Sequence, residues 1–382
     1  MPPLRFPEFT DEWEKCTLGD ITECFNLRNK HKHQYPMYSV TNDRGFVPQT
    51  EQFEGRDMIG DDIKAYKLIG YGDFAYNPAR INVGSIAMYK GDETCMISSL
   101  YVCFKAKNQI EKEWLIQLLK THRLNFHYNI NGEGGVRVYL FYPNFARIRV
   151  SYPSLKEQKR IAAFLNLIDK RIALQTKIIE KYKSLIKGIG DVLLVDNSSR
   201  SIPLSEILIE FSEKTTKNNQ YEVLSSTVSG IYSQKEIFNK EVASSNNIGY
   251  KIIHYDDVVL SPQNLWMGNI NYNDKYKIGI VSPSYKTYRI AEDYDKKFIA
   301  AILKTHRALY NYMLVSEQGA SVVRRNLNIE AFEQLIFKIP NCEKQQKIGN
   351  ILRNLEYKLS RLERLKNCYL RQKQFFLQQM FI

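Results

Sequence analysis

The stretch Tyr66-Lys-Leu-Ile-Gly-Tyr-Gly-Asp-Phe-Ala-Tyr-Asn-Pro78 returns later in the chain as Tyr250-Lys-Ile-Ile-His-Tyr-Asp-Asp-Val-Val-Leu-Ser-Pro262. At the same offset, Lys120-Thr-His-Arg123 returns letter for letter as Lys304-Thr-His-Arg307. Repetition at a fixed offset indicates one folding unit that occurs twice. We therefore expect two related globular units of roughly 150 residues, each followed by a long helix. Such a protein is suited to engage two sites at a set separation.

Within each unit, runs rich in β-branched and aromatic residues alternate with glycine, asparagine, aspartate and proline. Examples are Tyr35–Val40 and Ile97–Phe104 in the first copy and Val281–Ile290 in the second. Charged, leucine-rich segments at Lys112–Tyr128 and Lys296–Val315 are predicted to be helices. Strands together with packed helices indicate an α/β (α+β) class.

After Pro153 the apolar residues recur at alternating steps of four and three, which is the a/d seam of a coiled coil. The pattern returns near the end of the chain, after Pro340. The seam is predicted to consist of Ile161, Leu165, Ile168, Ile172 and Ile179, and of Ile348, Leu352, Leu355, Leu359 and Leu362. The chain thus divides into a first domain, a central helix, a second domain and a C-terminal helix, at residues 1–155, 156–195, 196–342 and 343–382.

Each long helix exposes an apolar stripe and needs a partner. Pairing between the two helices of the same chain, antiparallel and with pseudo-twofold symmetry, is the favoured arrangement. Packing of each helix on its own domain or on another subunit is the alternative. Lys366 and Lys373 weaken the second seam, and Leu365, Leu370, Phe375 and Leu377 offer a neighbouring apolar edge to which the seam could shift. Each seam would span ~48 Å at ~1.5 Å per residue.

Composition and charge narrow the class of protein. Hydrophobic content is 44% and charged content is 25%, as in a soluble globular protein. Six cysteines without a CxxC pair predict reduced thiols, and no signal peptide or membrane span is evident, so we predict a cytoplasmic protein. The net charge is +13, and residues 156–195 and 343–382 hold +5 and +6 of it. This excess indicates a polyanionic or acidic partner, although a solvated helix surface explains it equally well.

No motif for catalysis or metal binding stands out. Asn77-Pro78-Ala79-Arg80 resembles the Asn-Pro-Pro-aromatic motif of adenine methyltransferases but lacks its second proline and its aromatic residue. The histidines have no acidic or cysteine companions at metal-ligand spacing. We predict a non-catalytic chain that binds no metal or cofactor itself.

Three segments resemble specificity subunits of Type I restriction–modification enzymes. They are Arg5-Phe-Pro-Glu-Phe9, Pro153-Ser-Leu-Lys-Glu-Gln-Lys-Arg-Ile161 and the final Phe376-Leu-Gln-Gln-Met-Phe381. The second helix entry departs from the pattern, because Lys344 stands where the family has glutamate. The resemblance covers the whole chain in the order recognition domain, helix, recognition domain, helix.

The resemblance implies that each target recognition domain reads one half of a bipartite, asymmetric sequence in double-stranded DNA. The helices would set the spacing between the halves and bind two modification (methyltransferase) subunits. S-adenosylmethionine, ATP and Mg²⁺ would belong to partner subunits, including motor-nuclease restriction subunits. The alternative is a standalone duplicated DNA- or RNA-binding regulator without catalytic partners.

Candidate DNA-binding residues are polar or basic residues in loops that differ between the two copies. Base edges need bidentate hydrogen-bonding groups, and phosphates need cations. An ordinary solvated loop, or a structural salt bridge for the arginines after the glycine turns, is the alternative. The candidates are Arg28, Asn29, Lys30, Lys32, Asn42, Arg44, Arg80, Asn82, Arg137, Lys214, Lys217, Asn218, Asn219, Gln263, Asn264, Arg324 and Arg325.

Overall fold

The structure is a computed structural model, and it divides into two compact units. The first comprises residues 1–176 and 365–382, and the second comprises residues 177–364. The residues that the structure describes are 2–30, 34–52, 63–134, 138–193, 199–234, 246–318 and 325–381.

The first unit contains ten strands and parts of two long helices among its described residues. The strands are β1 (Glu14–Thr17), β2 (Thr22–Phe25), β3 (Tyr38–Thr41), β4 (Gly45–Pro48), β5 (Lys67–Ile69), β6 (Phe74–Tyr76), β7 (Ile86–Met88), β8 (Cys95–Ile97), β9 (Val102–Ala106) and β10 (Arg149–Tyr152). The helices are α1 (Leu18–Ile21), α2 (Gln49–Gln52), α3 (Lys112–Leu119), α4 (His122–Ile130), α5 (Tyr142–Ala146) and the first part of α6 (Leu155–Leu193).

A four-stranded antiparallel sheet in the order β2-β9-β6-β7 forms the centre of the first unit. Successive side chains of a strand point to opposite faces of the sheet. Phe74 and Tyr76 therefore join Phe104 in one apolar cluster, and Ala75 joins Cys103 in another. The sheet is covered on both faces, which explains why β6 is apolar at every position.

The second unit repeats this plan. Its strands are β11 (Arg200–Pro203), β12 (Leu208–Phe211), β13 (Leu224–Thr227), β14 (Gly230–Ser233), β15 (Lys251–His254), β16 (Asp257–Leu260), β17 (Ile270–Tyr272), β18 (Ile278–Val281), β19 (Lys286–Ile290), β20 (Ser316–Gln318), β21 (Arg325–Leu327) and β22 (Ile336–Ile339). Its helices are α7 (Leu204–Ile207), α8 (Lys296–Ile302), α9 (His306–Leu314), α10 (Ile329–Glu333) and the first part of α11 (Cys342–Gln379).

The sheet order β12-β19-β16-β17 matches that of the first unit strand for strand. Val258 and Leu260 face one apolar cluster while Val259 faces another, as their counterparts Phe74, Tyr76 and Ala75 do in the first unit. The predicted duplication and α/β (α+β) class are confirmed.

Two sequence predictions of element boundaries were wrong in the same way in both copies. The predicted strand Ile97–Phe104 is two strands, because a turn at Ser98–Tyr101 separates β8 from β9. The predicted helix Lys112–Tyr128 is two helices, because Thr121 accepts a hydrogen bond from Leu124 N and begins α4. Thr305 begins α9 in the same way. The repeated Lys-Thr-His-Arg element therefore holds a helix N-cap.

The long helices pair antiparallel in the first unit. Phe164 packs edge-on against Phe376 with ring centroids 4.8 Å apart, and further along α6 Asp169 bonds Lys373 at 2.6 Å. Residue numbers rise along α6 as they fall along α11, which defines the direction. In the second unit, Lys183 bonds Glu363 at 2.9 Å.

The seam residues lie on the covered side of both helices. Ile161, Leu165, Ile168, Ile179, Ile348 and Leu352 are buried, and Ile172, Leu355, Leu359 and Leu362 are half-buried. Of the neighbouring edge, Leu365, Leu370 and Phe375 are 39–53% exposed, whereas Leu377 is half-buried and packs against the apolar cluster of the first unit, so only Leu377 joins the covered side. No described helix is long and apolar enough to cross a membrane.

Candidate nucleic-acid interface

A β-hairpin in each unit carries a short polar tip. In the first unit, β3 and β4 pair with Thr41 opposite Gly45, which leaves Asn42, Asp43 and Arg44 as the tip. Gly45 has a φ of +70°, the left-handed conformation that closes a three-residue hairpin loop and favours glycine. All three tip residues are exposed.

The second hairpin has a shorter tip. Thr227 pairs with Gly230, so only Val228 and Ser229 separate β13 from β14. Val228 is 51% exposed. The threonine before each tip makes the same contact, because its hydroxyl donates to the glycine carbonyl at 3.1 Å in both copies. The two hairpins thus share their paired strands and this threonine contact, which we call the frame. Their tips differ in length and in side-chain chemistry.

A second loop follows the central strand in each unit and ends in a glycine with positive φ. Arg80 leads into a 3-10 turn that Gly84 closes at a φ of +100°, and Asn264 leads into a turn that Gly268 closes at +91°. Asn77 accepts a hydrogen bond from Ala79 N at 3.0 Å and thereby supports the local turn. This structural role explains the asparagine without methyltransferase chemistry.

The hairpin tip and this loop meet in each unit. A methyl group placed on Gly84 would lie 3.4 Å from the carbonyl oxygen of Asn42. In the second unit, Lys304 Nζ donates to the carbonyls of Gly268 at 2.9 Å and Val228 at 3.2 Å. One lysine thus joins the loop to the tip, and burial lowers the pKa of Lys304 to about 8.

An arginine lies beside the same loop of the second unit. The guanidinium of Arg325 stands 4.6 Å from the ring centroid of Trp266, and Arg325 N donates to the carbonyl of Gln263 at 3.2 Å. Among the described residues, the Arg325 Nε is buried and makes no hydrogen bond. The stacking fixes the plane of a charged group that can donate to a phosphate or a base edge.

Other predicted residues lie elsewhere. Asn29 is 1% exposed and its N–H donates to the Tyr66 carbonyl at 3.0 Å, so this candidate points into the domain and is withdrawn as a DNA contact. Its neighbours Arg28 and Lys30 are exposed. Lys32, Arg137 and Arg324 lie outside the described residues.

The loop that contains Lys214 and Lys217 exposes both lysines but engages its amides internally. Asn218 Oδ1 accepts from Asn247 N at 2.9 Å, and Asn219 Oδ1 accepts from Asn247 Nδ2 at 2.7 Å. Asn219 has a φ of +53°, which asparagine tolerates better than most residues. The two amides shape the loop, and the lysines are its charged surface.

Sequence reasoning missed the groups that hold the tips in place. Tyr101 OH accepts from Val40 N at 3.2 Å, and Ser85 Oγ donates to Val40 O at 2.7 Å. In the second unit, Tyr285 OH and Asn269 Nδ2 both donate to Ser226 O, at 3.1 and 2.9 Å. We call each set of contacts a tip clamp. The recurrence of tyrosine at the equivalent positions 101 and 285 of the two copies is the signal that could have found it.

Asn271 strengthens the second clamp. Its Nδ2 donates to Ser226 Oγ and to the carbonyl of Thr227, both at 2.7 Å. Within the described parts of the chain, no group of three or more His, Cys, Asp or Glu side chains could hold a metal ion.

Comparison with known proteins places this geometry in a family. A family model described as "Type I restriction modification DNA specificity domain" matches residues 10–183 and 189–368. The chain is 27% identical over 192 residues to the putative type I restriction enzyme MjaX specificity subunit of Methanocaldococcus jannaschii. That alignment covers 47% of this chain and 45% of the relative, so the match spans less than half of the relative's length.

Two solved structures are similar in fold. A Type I restriction–modification S subunit from M. genitalium aligns with a TM-score of 0.61 at 12% identity, over 100% of this chain and 99% of the other. A structure from a study of complex assembly and conformational transition of the type I R-M system aligns with a TM-score of 0.53 at 14% identity, over 98% of each chain.

Proposed function

The chain belongs to the Type I restriction modification DNA specificity domain family, and we propose that it is the sequence-reading, non-catalytic subunit of a Type I complex. Each domain reads one half of a bipartite, asymmetric DNA target. The observation that carries the proposal is the duplicated frame with divergent tips: Asn42–Arg44 and Val228–Ser229 stand on equivalent hairpins. Divergent readers on one frame suit a target whose two halves differ.

The candidate contacts divide by chemistry. Arg44 in the first tip and Arg80 in the neighbouring loop are exposed, and arginine is the commonest bidentate partner of guanine in the major groove. Asn82 is held by Asn129 at 3.0 Å and suits adenine. The exposed lysines Lys214 and Lys217 suit phosphates, which position a protein on DNA without specifying sequence.

The second unit offers a parallel set. Gln263 is exposed and Asn264 is half-buried, and both stand next to the Arg325–Trp266 stack. An amide and a guanidinium side by side can contact adjacent groups of one duplex. Arg28 and Lys30 in the first unit complete the exposed cationic candidates on the loop before β3.

The long helices are proposed to set the spacing of the half-sites and to bind two modification subunits. On α6, Leu167, Leu174, Ile178 and Leu185 are 41–63% exposed. Leu167 and Leu174 belong to the first unit, and Ile178 and Leu185 belong to the second. Within each pair, the step of seven residues places both side chains on one side of the helix, away from the seam. An exposed apolar stripe of this kind is typical of a partner-binding surface.

S-adenosylmethionine, ATP and Mg²⁺ are proposed to act on the partner subunits, which include restriction subunits in a complete complex. The proposed site of action is cytoplasmic DNA. The support for this division of labour is that the matching family model is described as a DNA specificity domain and the curated relative as a specificity subunit.

The test is selection from a pool of random DNA duplexes with the full-length chain, in complex with any modification subunit that co-purifies. We expect enrichment of two short motifs at a fixed spacing. Binding of the selected duplex should fall steeply between 50 and 200 mM salt, roughly 10³- to 10⁵-fold if 6–10 phosphates are contacted. Failure to enrich any sequence contradicts the proposal. Enrichment without an associated methyltransferase activity in the cell would favour a standalone regulator.

A further inference from the structure

Each tip clamp has buried residues at its centre and a half-buried tyrosine, whereas the tips that the clamps hold are exposed. Val40 and Ser85 are 5% and 1% exposed, and both backbone hydrogen-bonding groups of Val40 are engaged. Ser226 and Asn269 are 3% and 4% exposed. A buried polar contact next to a surface loop costs free energy when broken, because its groups would lose their partners without gaining water. The clamps therefore fix the position of each tip.

The two copies keep the clamp and change the tip. In both copies, a tyrosine hydroxyl and a second polar side chain bond the backbone of the residue that precedes the threonine. These pairs are Tyr101 with Ser85 and Tyr285 with Asn269. One more contact of the frame is shared, because Gln49 and Gln234 donate to Ser39 Oγ and Ser225 Oγ at 3.2 and 3.1 Å. After the threonine, the first copy has the three tip residues Asn42–Arg44, and the second copy has only Val228 and Ser229.

From this contrast, and resting on the proposed function, we infer that the hairpin tips read bases and that the tip clamps are positioning residues for that reading. Asn42 and Arg44 supply hydrogen-bonding groups for the purine edges of one half-site. Val228 supplies an apolar contact for the methyl group of a thymine in the other half-site. The tip clamps hold these side chains in a fixed position relative to the rest of the domain. The clamp residues are Tyr101 with Ser85 in the first unit and Tyr285 with Asn269 in the second.

The second tip is held more tightly than the first. Lys304 bonds the Val228 carbonyl, and Asn271 bonds the Thr227 carbonyl. Ala87 occupies the position in the first copy that corresponds to Asn271 and offers no such bond. A short tip with a single apolar reader depends on exact placement, since a methyl contact has no directional hydrogen bond to guide it.

The experiment compares Tyr101→Phe and Tyr285→Phe in the duplex selection described above. Each variant removes one hydroxyl and keeps the ring. We expect the preference for the best bases over single mismatches to fall about two- to tenfold in one half-site only, and in the opposite half-site for the other variant. Ser85→Ala should act on the same half as Tyr101→Phe. The exposed Tyr71 and Tyr310 provide matched Tyr→Phe controls in the two units.

A second measurement separates positioning from stability. Replacing the thymines of the selected duplex one at a time by uracil removes only a methyl group. One thymine in the second unit's half-site should be sensitive, and Val228→Ala should abolish that sensitivity while the melting temperature and the salt dependence stay the same.

The outcomes distinguish the two proposals. No enrichment by the wild-type chain contradicts the proposed function. If the wild-type chain selects a bipartite motif and Tyr101→Phe and Tyr285→Phe weaken it no more than the controls Tyr71→Phe and Tyr310→Phe do, the inference is overturned. The proposed function would then still stand. Equal loss in both halves, or no methyl-sensitive thymine, would also overturn the inference.

Discussion

Arg5 and Glu157 form a bidentate ion pair in which Nε and Nη2 of the guanidinium each donate a hydrogen bond of 2.7 Å to the carboxylate. Their side chains are 11% and 1% exposed. Trp13 Nε1 adds a third donor to the carboxylate at 3.4 Å, and the hydrogen bond to Glu157 raises the pKa of Arg5. The segments that begin at Arg5 and at Pro153 lie far apart in the sequence. The Arg5–Glu157 ion pair joins them, and it thereby fixes the N-terminal segment to the start of α6.

Arg5→Met should destabilise the first unit by about 3–5 kcal/mol, because it leaves the buried Glu157 without its ionic partner. Urea denaturation measures the change. The matched control is Arg160→Met, since Arg160 and Glu8 are 3.7 Å apart with side chains 62% and 52% exposed. That variant should cost less than about 1 kcal/mol. Equal effects would show that the Arg5 contact is not a buried ion pair.

Gln158 and Gln345 should contribute equally to the stability of the first and the second unit. Gln158 accepts from Glu111 N at 2.8 Å and donates to Pro153 O at 2.8 Å. Gln345 accepts from Asp295 N and donates to Pro340 O, both at 2.9 Å.

Gln158→Met and Gln345→Met should each cost about 2 kcal/mol, because each leaves a buried backbone group without its partner. The exposed Gln346 provides a control, Gln346→Met, whose expected effect is within about 0.5 kcal/mol. A large loss for one copy and none for the other would contradict the equivalence.

Lys304 should make the stability of the second unit depend on pH. Burial lowers its pKa from 10.5 to about 8. Between these two pH values the unfolded chain holds a proton that the folded chain has released, so this residue favours folding more as pH rises.

The difference in melting temperature between wild type and Lys304→Met should therefore move in favour of wild type from pH 7.5 to pH 9.5. The exposed Lys338 provides a control on β22. If the wild-type and Lys304→Met melting curves shift in parallel over that pH range, the pKa of Lys304 is not lowered in the folded protein.

Arg80→Ala should relax base preference in one half-site and leave the other unchanged, because Arg80 lies on the first unit only. Duplex selection measures this. An exposed arginine of the second unit, Arg200 on β11, provides the control. Weaker binding to every duplex, with the motif intact, would assign Arg80 to phosphate instead.

Removing one heptad from each long helix should shorten the spacer of the preferred target. Seven residues of helix span ~10.5 Å, which corresponds to about three base pairs. Deletion from both helices keeps the seam in register, because each loses one complete a/d repeat. An unchanged spacer would show that the helices do not set the separation.

Much of the fold was predictable from local pattern. The return of Tyr66–Pro78 as Tyr250–Pro262 predicted two equivalent units, and the heptads after Pro153 and Pro340 predicted the two long helices. Element breaks were harder to predict. Thr121 and Thr305 interrupt apolar periodicity that looks continuous in sequence, because a side-chain cap replaces the helical hydrogen bond there.

The candidate site divides in the same way. Exposed arginines such as Arg44 and Arg80 could be chosen from polarity alone. That Asn29 points inward could not, because a loop asparagine looks the same in sequence whether its amide meets solvent or backbone. The tip clamps were also hidden, because Tyr101 and Ser85 lie far along the chain from Val40 and carry no mark of their shared target.

The sequence by itself determined the duplication, the heptad register and the excess charge on the helical segments, since these are properties of spacing and residue type along one chain. Tertiary structure alone decided which polar groups meet. Folding brings distant segments within 3.2 Å of one another. As a result, Val40 bonds Tyr101, Arg5 bonds Glu157, and Lys304 bonds two loop carbonyls. Hydrogen bonds act only at such distances, so sequence separation does not predict them.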